Sequence, residues 1–283
     1  MTCTSTWFKQ YKNKSGELET IELPCGYCIA CRIRRTAEWT KRILDESDGG
    51  KNSSFLTLTY NDENLPPFGS LVKSDFQKFI KRFRFNVKQD IKYYGCGEYG
   101  DKTHRPHYHI IMIGYQPELE ELRFLRFNER GEKIFTTDIL KKNWKFGDIT
   151  TGIVVRESVQ YVAGYVRKKI YARGNPYFPR IAPFSLSSNG IGKEYAEKNW
   201  KRIISEKGDT VNGKNLGIPR YYKKKYLTEE QKSMLQERSF ENGITHLDYN
   251  DFSEYYLALK SDMDRRHSES MTKEELFNKR EKL

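Results

Sequence analysis

Two histidines separated by a single residue open a run that is otherwise apolar: residues 105–115 read RPHYHIIMIGY. On a strand, successive side chains alternate faces, so His107 and His109 point the same way, about 7 Å apart, with Ile111 and Ile113 continuing their face toward the core. Tyr108, Ile110 and Met112 take the opposite face. The segment therefore predicts a strand that carries two imidazoles side by side at one end and core residues at the other.

Further strands are predicted at SSFLTLTY (53–60), KYYGCGEYG (92–100) and GDITTGIVV (147–155), each with alternation or β-branched and aromatic content. Several connections between them are too short for a crossover helix, which predicts a mainly antiparallel sheet. Helical spacing marks ACRIRRTAEWTKRILDES, with Ile33, Ala37 and Ile43 or Leu44 on one side, and the segment after Ser74, where Phe76, Phe79, Ile80, Phe83 and Val87 recur. Ser74 is the expected cap. A third helix is predicted over 158–171, SVQYVAGYVRKKIY, capped by Ser158. The class is α+β. Residues 117–144 are charged and carry no clear period, while 174–226 reads as loops with one helix near 193–205. Two charged helices, TEEQKSMLQERSF and DFSEYYLALKSDM, follow. The expected division is a cysteine-bearing leader and helix (1–50), a main domain with basic loops (51–226) and a helical tail (227–283).

Charge adds a partner class. The net charge of +12 is concentrated in residues 151–225, with 16 Lys/Arg against five Asp/Glu, whereas residues 226–283 are net acidic. Basic side chains placed at phosphates release condensed counterions, so this block favours nucleic acid over an acidic small molecule. The first 16 residues lack the apolar stretch of a signal peptide and no run approaches the ~20 apolar residues of a membrane span, which leads to an expectation of a cytoplasmic protein without membrane contact.

Two imidazoles on one face are half of a divalent metal site. Glu98, on the preceding predicted strand, is the candidate third ligand, and His104, in the polar loop between the strands, competes with it. Imidazole with carboxylate suits Mg²⁺ or Mn²⁺ working on a phosphate, with Zn²⁺ as the alternative. An isolated H-x-H is also compatible with two polar residues at a strand end. A nucleophile is offered by QYVAGYVRKK. Tyr161 and Tyr165, four residues apart on a predicted helix, project from one face about one turn apart. A tyrosine oxygen can attack phosphorus and hold the product as an ester, and two tyrosines can alternate between cutting and rejoining. Lys168 and Lys169 follow within a turn of Tyr165, where an ammonium could sit against the scissile phosphate. The competing reading is a core-facing aromatic pair in a chain with 19 tyrosines.

Taken together, PCGYCIACR, TLTY (57–60), GEYG with RPHYH, YVAGYVRKK and NGIGKEY (189–195) resemble, in that order, the HUH (His, hydrophobic, His) endonucleases that initiate rolling-circle replication. The similarity is closest to the replication initiators of microviruses, the gokushovirus branch above all, and covers roughly residues 20–225. The resemblance implies a five-stranded antiparallel sheet with the metal on one face and the tyrosine helix laid across it. It also implies nicking of viral single-stranded DNA at the origin, covalent attachment of the 5′ phosphate, and ligation of a unit-length circle in the host bacterial cytoplasm. No G-x4-G-K-[ST] motif occurs, so unwinding would fall to a host helicase and replication machinery. Lys168 follows Tyr165 at i+3 while Gly164 holds the equivalent place after Tyr161, a departure from equivalence between the two tyrosines. The rival readings are a basic nucleic-acid binder without catalysis and a single-tyrosine transposase or relaxase.

Five cysteines remain, and Cys25-x2-Cys28-x2-Cys31 is compact, with Cys3 able to supply a fourth thiolate. Structural Zn²⁺ is the favoured reading; an iron-sulfur cluster and a redox pair are the alternatives. Cys96 is expected to be a buried strand cysteine. Candidate DNA contacts are Arg167, Arg173, Lys193, Lys201, Arg202, Lys223, Lys224 and Lys225, where cations mix with aromatics as on single-strand binding surfaces.

Overall fold

A computed structural model of the protein describes residues 3, 6–13, 15–26, 28–127, 131, 133–169, 177–205, 210–211, 214–215, 217–232, 265, 268 and 271–272. The chain divides into two compact units, one of residues 37–219 and one formed by 1–36 with 220–283.

The larger unit is built on a seven-stranded sheet. Its strands are β3 (Ser53–Thr59), β4 (Lys92–Tyr99), β5 (Pro106–Ile113), β6 (Arg123–Phe127), β7 (Lys133–Thr136), β8 (Ile149–Ile153) and β9 (Phe184–Ser187). They lie in the order β6-β7-β8-β3-β5-β4-β9, with every neighbouring pair antiparallel. The expected class holds, and the sheet is larger than the five strands implied by resemblance. Strands β6 and β7 lie in the charged stretch where no period was visible, and the reason is exposure. A ladder whose β6 side chains are mostly in solvent needs no apolar alternation.

Strand β5 sits near the middle and is covered on both faces. Helix α2 (Lys73–Val87) and the short α3 (Asp138–Asn143) accompany the face bearing Tyr108, Ile110 and Met112. There Phe76, Phe79 and Phe83 pack with Leu56, Leu58, Leu140 and Trp144 in one core. On the other face, Ile111 and Ile113 join Tyr94 and Cys96 of β4, Val159, Val162 and Ala163 of α4 (Arg156–Lys169), and Ile43 of α1 (Ile29–Glu46). Each fully buried Phe or Ile contributes about 1.5–3 kcal/mol through water exclusion, so the sheet is held from two sides. Cys96 is buried, as expected.

Both expected serine caps are corrected. Helix α2 starts at Lys73 with Val72 at its N-cap and no side-chain cap. Ser74 lies inside the first turn. The entering chain is satisfied instead by buried phenols: the Tyr99 hydroxyl accepts from the Leu71 amide at 3.1 Å, and the Tyr108 hydroxyl accepts from the Val72 amide at 2.9 Å. Helix α4 begins two residues before Ser158, whose hydroxyl reaches back to accept from the Val155 amide at 2.9 Å. Such contacts cross the sheet or run backward, so a forward scan for caps misses them. Helix α5 (Lys193–Ser205) agrees with the expected segment.

In the smaller unit, β1 (Trp7–Lys12) and β2 (Leu18–Leu23) form an antiparallel hairpin in a leader that carried no strand signal. Helix α6 (Arg220–Tyr226) occupies the YYKKKY run that read as loop, with Tyr222 buried and Lys223, Lys224 and Lys225 exposed. Most of the two expected tail helices lies outside the described residues.

Candidate active site

Register brings the expected ligands together. Antiparallel pairing sets Glu98 of β4 opposite His107 of β5 and Cys96 opposite His109, while β3 sets Thr59 and Thr57 against the same two histidines on the other side. Glu98, His107 and His109 thereby form a group whose ligand atoms lie within 4.8 Å of one another. His104 stays outside this group, in the loop before β5, where its carbonyl accepts from Arg180 at 3.3 Å.

The geometry within the group is specific. His107 Nε2 lies 2.8 Å and His109 Nε2 3.0 Å from the same carboxylate oxygen, Glu98 Oε1. Glu98 is fully buried, and its second oxygen, Oε2, has no hydrogen-bond partner. The far side of each ring is also engaged. His107 Nδ1 donates to the Arg105 carbonyl at 3.1 Å, and His109 Nδ1 meets the Thr57 hydroxyl at 2.9 Å. The Arg105 carbonyl can only accept, so a neutral His107 keeps its proton on Nδ1 and presents a bare lone pair to a carboxylate oxygen. Two acceptors at 2.8 Å repel unless positive charge lies between them. With two nitrogens and a buried, partly unpaired carboxylate converging, the residues fit a divalent cation.

Electrostatics point the same way. Burial works against ionisation of Glu98, but its hydrogen bonds with His107 and His109 outweigh that and hold its pKa below the usual carboxylate value. Burial pushes the His109 pKa down, favouring the neutral ring that ligates metals. Arg105 anchors the approach to β5, with its guanidinium on Asp62 at 2.6 Å and on the Tyr60 carbonyl at 3.0 Å.

Helix α4 crosses this end of the sheet face. Half-buried Tyr161 turns its ring edge to His109, with centroids 5.3 Å apart, and its hydroxyl donates to Glu98 Oε1 at 3.5 Å. A phenol thus stands where the two imidazoles and the carboxylate meet. Tyr165, Arg167, Lys168 and Lys169 lie on the final turns of α4, and their side chains are outside the described residues, as is all of Arg173. Lys193, Lys201 and Arg202 are exposed on α5; Arg202 donates to the Tyr195 hydroxyl at 2.7 Å and Lys193 pairs with Glu197 at 3.7 Å.

The residues that the sequence did not single out are Thr57 and Arg105, which orient the two rings. Both lie in stretches already noted, TLTY and RPHYH, but their roles depend on strand register and on a backbone carbonyl. In the smaller unit, Cys3, Cys25, Cys28 and Cys31 form a second group with sulfurs within 4.8 Å. Burial, aided by the Cys28 and Cys3 thiols and opposed by a Gly26 amide, pushes the Cys31 thiol up to about 12.

Comparison with known proteins covers the same residues. A sequence profile for replication-associated proteins of the ORF2 type matches residues 53–170, from β3 to just beyond α4. Replication-associated protein VP4 of Bdellovibrio phage phiMH2K is 35% identical over 227 residues, spanning 76% of this chain and 70% of that protein. The chain belongs to the family of phage replication-associated proteins. Two further replication-associated proteins match: ORF2 of Spiroplasma virus 4 is 29% identical over 246 residues, 79% of this chain and 76% of that one. ORF4 of Chlamydia phage 1 is 28% identical over 214 residues, 72% and 53% of the two chains. No solved structure matches. Membership of the phage replication-associated family agrees with the microvirus-like resemblance of the motifs, and the profile's span contains every residue of the histidine and tyrosine site.

Proposed function

We propose that the protein is a rolling-circle replication initiator that cuts and rejoins single-stranded viral DNA, with Tyr161 as nucleophile beside a divalent cation bound by Glu98, His107 and His109. The observation that carries this reading is the Tyr161 hydroxyl, 3.5 Å from the carboxylate oxygen on which both imidazoles converge. Mg²⁺ or Mn²⁺ held there would supply Lewis-acid polarisation of the scissile phosphate. Thr57 and the Arg105 carbonyl hold the two rings with their Nε2 lone pairs turned toward that point, and the surrounding sheet keeps Glu98 out of water.

The chemistry is transesterification. The Tyr161 oxygen gives up its proton and bonds to phosphorus, the bond from phosphorus to the 3′ oxygen breaks, and that oxygen takes up a proton as a free hydroxyl. The 5′ phosphate remains on tyrosine as an ester. Attack by a 3′ hydroxyl reverses the step and reseals the strand, so no ATP is required. Tyr165, one turn along α4, would attack the regenerated junction while the first strand is closed into a circle, and Lys168 and Lys169 would offset phosphate charge. In this reading residues 51–226 are the endonuclease body. Arg167, Arg173, Lys193, Lys201, Arg202 and Lys223 to Lys225 track the strand, a host helicase opens the duplex, and the work takes place in the host bacterial cytoplasm.

The test is incubation of 3′-labelled single-stranded origin DNA with Mn²⁺ and wild type, Tyr161→Phe, Tyr165→Phe or the double variant, read on a denaturing gel. A protein-linked labelled fragment that disappears with chelator and in the double variant is the expected result. Origin DNA that is bound but never cut or linked under any divalent metal would leave only a binding module.

A further inference from the structure

The cysteine group is not used by the nicking chemistry, and it has a geometry of its own. We propose that Cys3, Cys25, Cys28 and Cys31 bind one Zn²⁺ as four thiolates, and that this ion closes the base of the N-terminal hairpin and joins it to the start of α1. The inference stands apart from the nuclease reading, because neither depends on the other's residues.

Sulfur spacing decides between the chemistries open to four cysteines. Cys3 Sγ lies 3.4 Å from Cys25 Sγ and 3.7 Å from Cys28 Sγ, and all four sulfurs lie within 4.8 Å of one another. A disulfide needs about 2.05 Å, and no disulfide joins any of the five cysteines. Four thiolates at about 2.3 Å from one tetrahedral ion stand about 3.8 Å apart. An iron-sulfur cluster puts several iron atoms between its thiolates and spreads them further. A single ion fits the spacing.

The surrounding backbone is built for thiolates. Gly26, at φ +78°, makes the turn between Cys25 and Cys28. The Cys28 amide donates to Cys25 Sγ at 3.3 Å, and the Cys25 amide donates to Cys3 Sγ at 3.2 Å. Cys31 sits in the first turn of the 18-residue α1, which has no acidic residue there, so its thiolate is the negative charge at the positive end of the helix. Arg34 approaches Cys31 Sγ at 3.9 Å, offsetting part of the net negative charge that four thiolates and one Zn²⁺ leave.

The hairpin explains why such an ion is needed. Every residue of β1 is exposed, Trp7 and Phe8 among them, so the ladder has little apolar burial to hold it. A two-stranded hairpin alone is marginal in water. Trp7 pairs with Leu23 at its open end, and Cys3 and Cys25 lie just outside that pair. A metal bond across those two positions closes the strand ends, and Cys28 and Cys31 extend the same bond to α1. Folding of the leader and metal binding thus become one equilibrium.

The test uses the full-length chain purified under reducing conditions, with metal content measured by mass spectrometry and the metal exchanged for Co²⁺. About one Zn²⁺ per chain is expected, retained in a His107→Ala/His109→Ala variant and in Cys96→Ser, and lost in Cys28→Ser/Cys31→Ser. The Co²⁺ form should give the intense sulfur-to-metal charge transfer and red-region bands of a tetrahedral four-thiolate site. This spectrum on the wild-type fold decides the ligand set even if the cysteine variant fails to fold. Iron in place of zinc, a weak pink octahedral Co²⁺ spectrum, or zinc that follows the histidines would overturn the assignment. Hydrogen exchange tests the clamp. Stripping the metal should speed exchange of amides in residues 7–23 while those of β3 to β5 stay protected, and a hairpin equally protected without metal would refute that role.

Discussion

Replacing Thr57 by valine isolates the part of the site that only holds a ligand in place. The exchange keeps β-branching and nearly the same volume, so β3 and its ladders with β5 and β8 should persist. What is lost is one hydroxyl, 2.9 Å from His109 Nδ1. In the wild type that hydroxyl lets the ring keep its proton on Nδ1 and offer the Nε2 lone pair to a cation. Beside valine the buried Nδ1–H has no partner, which costs about 1–3 kcal/mol. The ring escapes by moving its proton to Nε2, where Glu98 Oε1 at 3.0 Å accepts it. The metal-free protein thus relaxes and the metal-bound form does not, so the whole penalty falls on binding. It amounts to roughly 10- to 100-fold in affinity, the range found when groups behind metal ligands are removed. Calorimetric titration with Mn²⁺ measures it directly. The Mn²⁺ concentration for half-maximal nicking should rise by the same factor while the rate at saturating Mn²⁺ holds, and Thr57→Ser should restore both. Unchanged Mn²⁺ affinity in Thr57→Val would refute the tautomer argument.

Three other perturbations test neighbouring parts of the structure. Tyr108→Phe removes a buried hydroxyl that accepts from the Val72 amide, donates to its carbonyl and meets Tyr60 at 2.8 Å. A loss of about 1–3 kcal/mol is expected in urea unfolding, and a loss under about 0.5 kcal/mol would count against the phenol as the cap of α2. Gly95→Ala would put a Cβ 2.8 Å from both the His109 carbonyl and the Phe76 ring; the variant should lose about 1–3 kcal/mol of stability by overpacking, with thermal melting as the check. Changing Lys193, Lys201 and Arg202 together to Gln should weaken binding of single-stranded DNA of any sequence. It should also lower the slope of log affinity against log salt by about 2, given ~0.7 per phosphate contact. An unaltered slope would remove α5 from the DNA path.

How much of this was readable depended on whether the cause was local. The two-residue repeat of a strand is local, so His107 and His109 on one face followed from RPHYH alone, and the apolar spacing of α2 followed from Phe76, Phe79, Ile80 and Phe83 in the same way. The outer strands β6 and β7 and the leader hairpin were not readable, because side chains exposed on both faces are under no pressure to alternate. Helix α6 was hidden in a run of lysines whose buried member, Tyr222, does not by itself make a period. The start of α2 was set by phenols from β4 and β5, far away in the chain.

Residue order and spacing were enough to list the chemical groups: paired imidazoles, a nearby carboxylate, tyrosines at helical spacing and thiols in a tight cluster. Those patterns survive in one dimension because each lies within a single element or turn. Folding in three dimensions is what brings both imidazoles to one oxygen of Glu98, sets Thr57 and the Arg105 carbonyl behind the two rings, and stands Tyr161 3.5 Å from the same oxygen. These are matters of strand register and of a helix laid over a sheet, and a slip of one residue would turn every such side chain to the other face. Register is fixed by burying the two cores at once, a constraint that belongs to the whole fold and to no single stretch of chain.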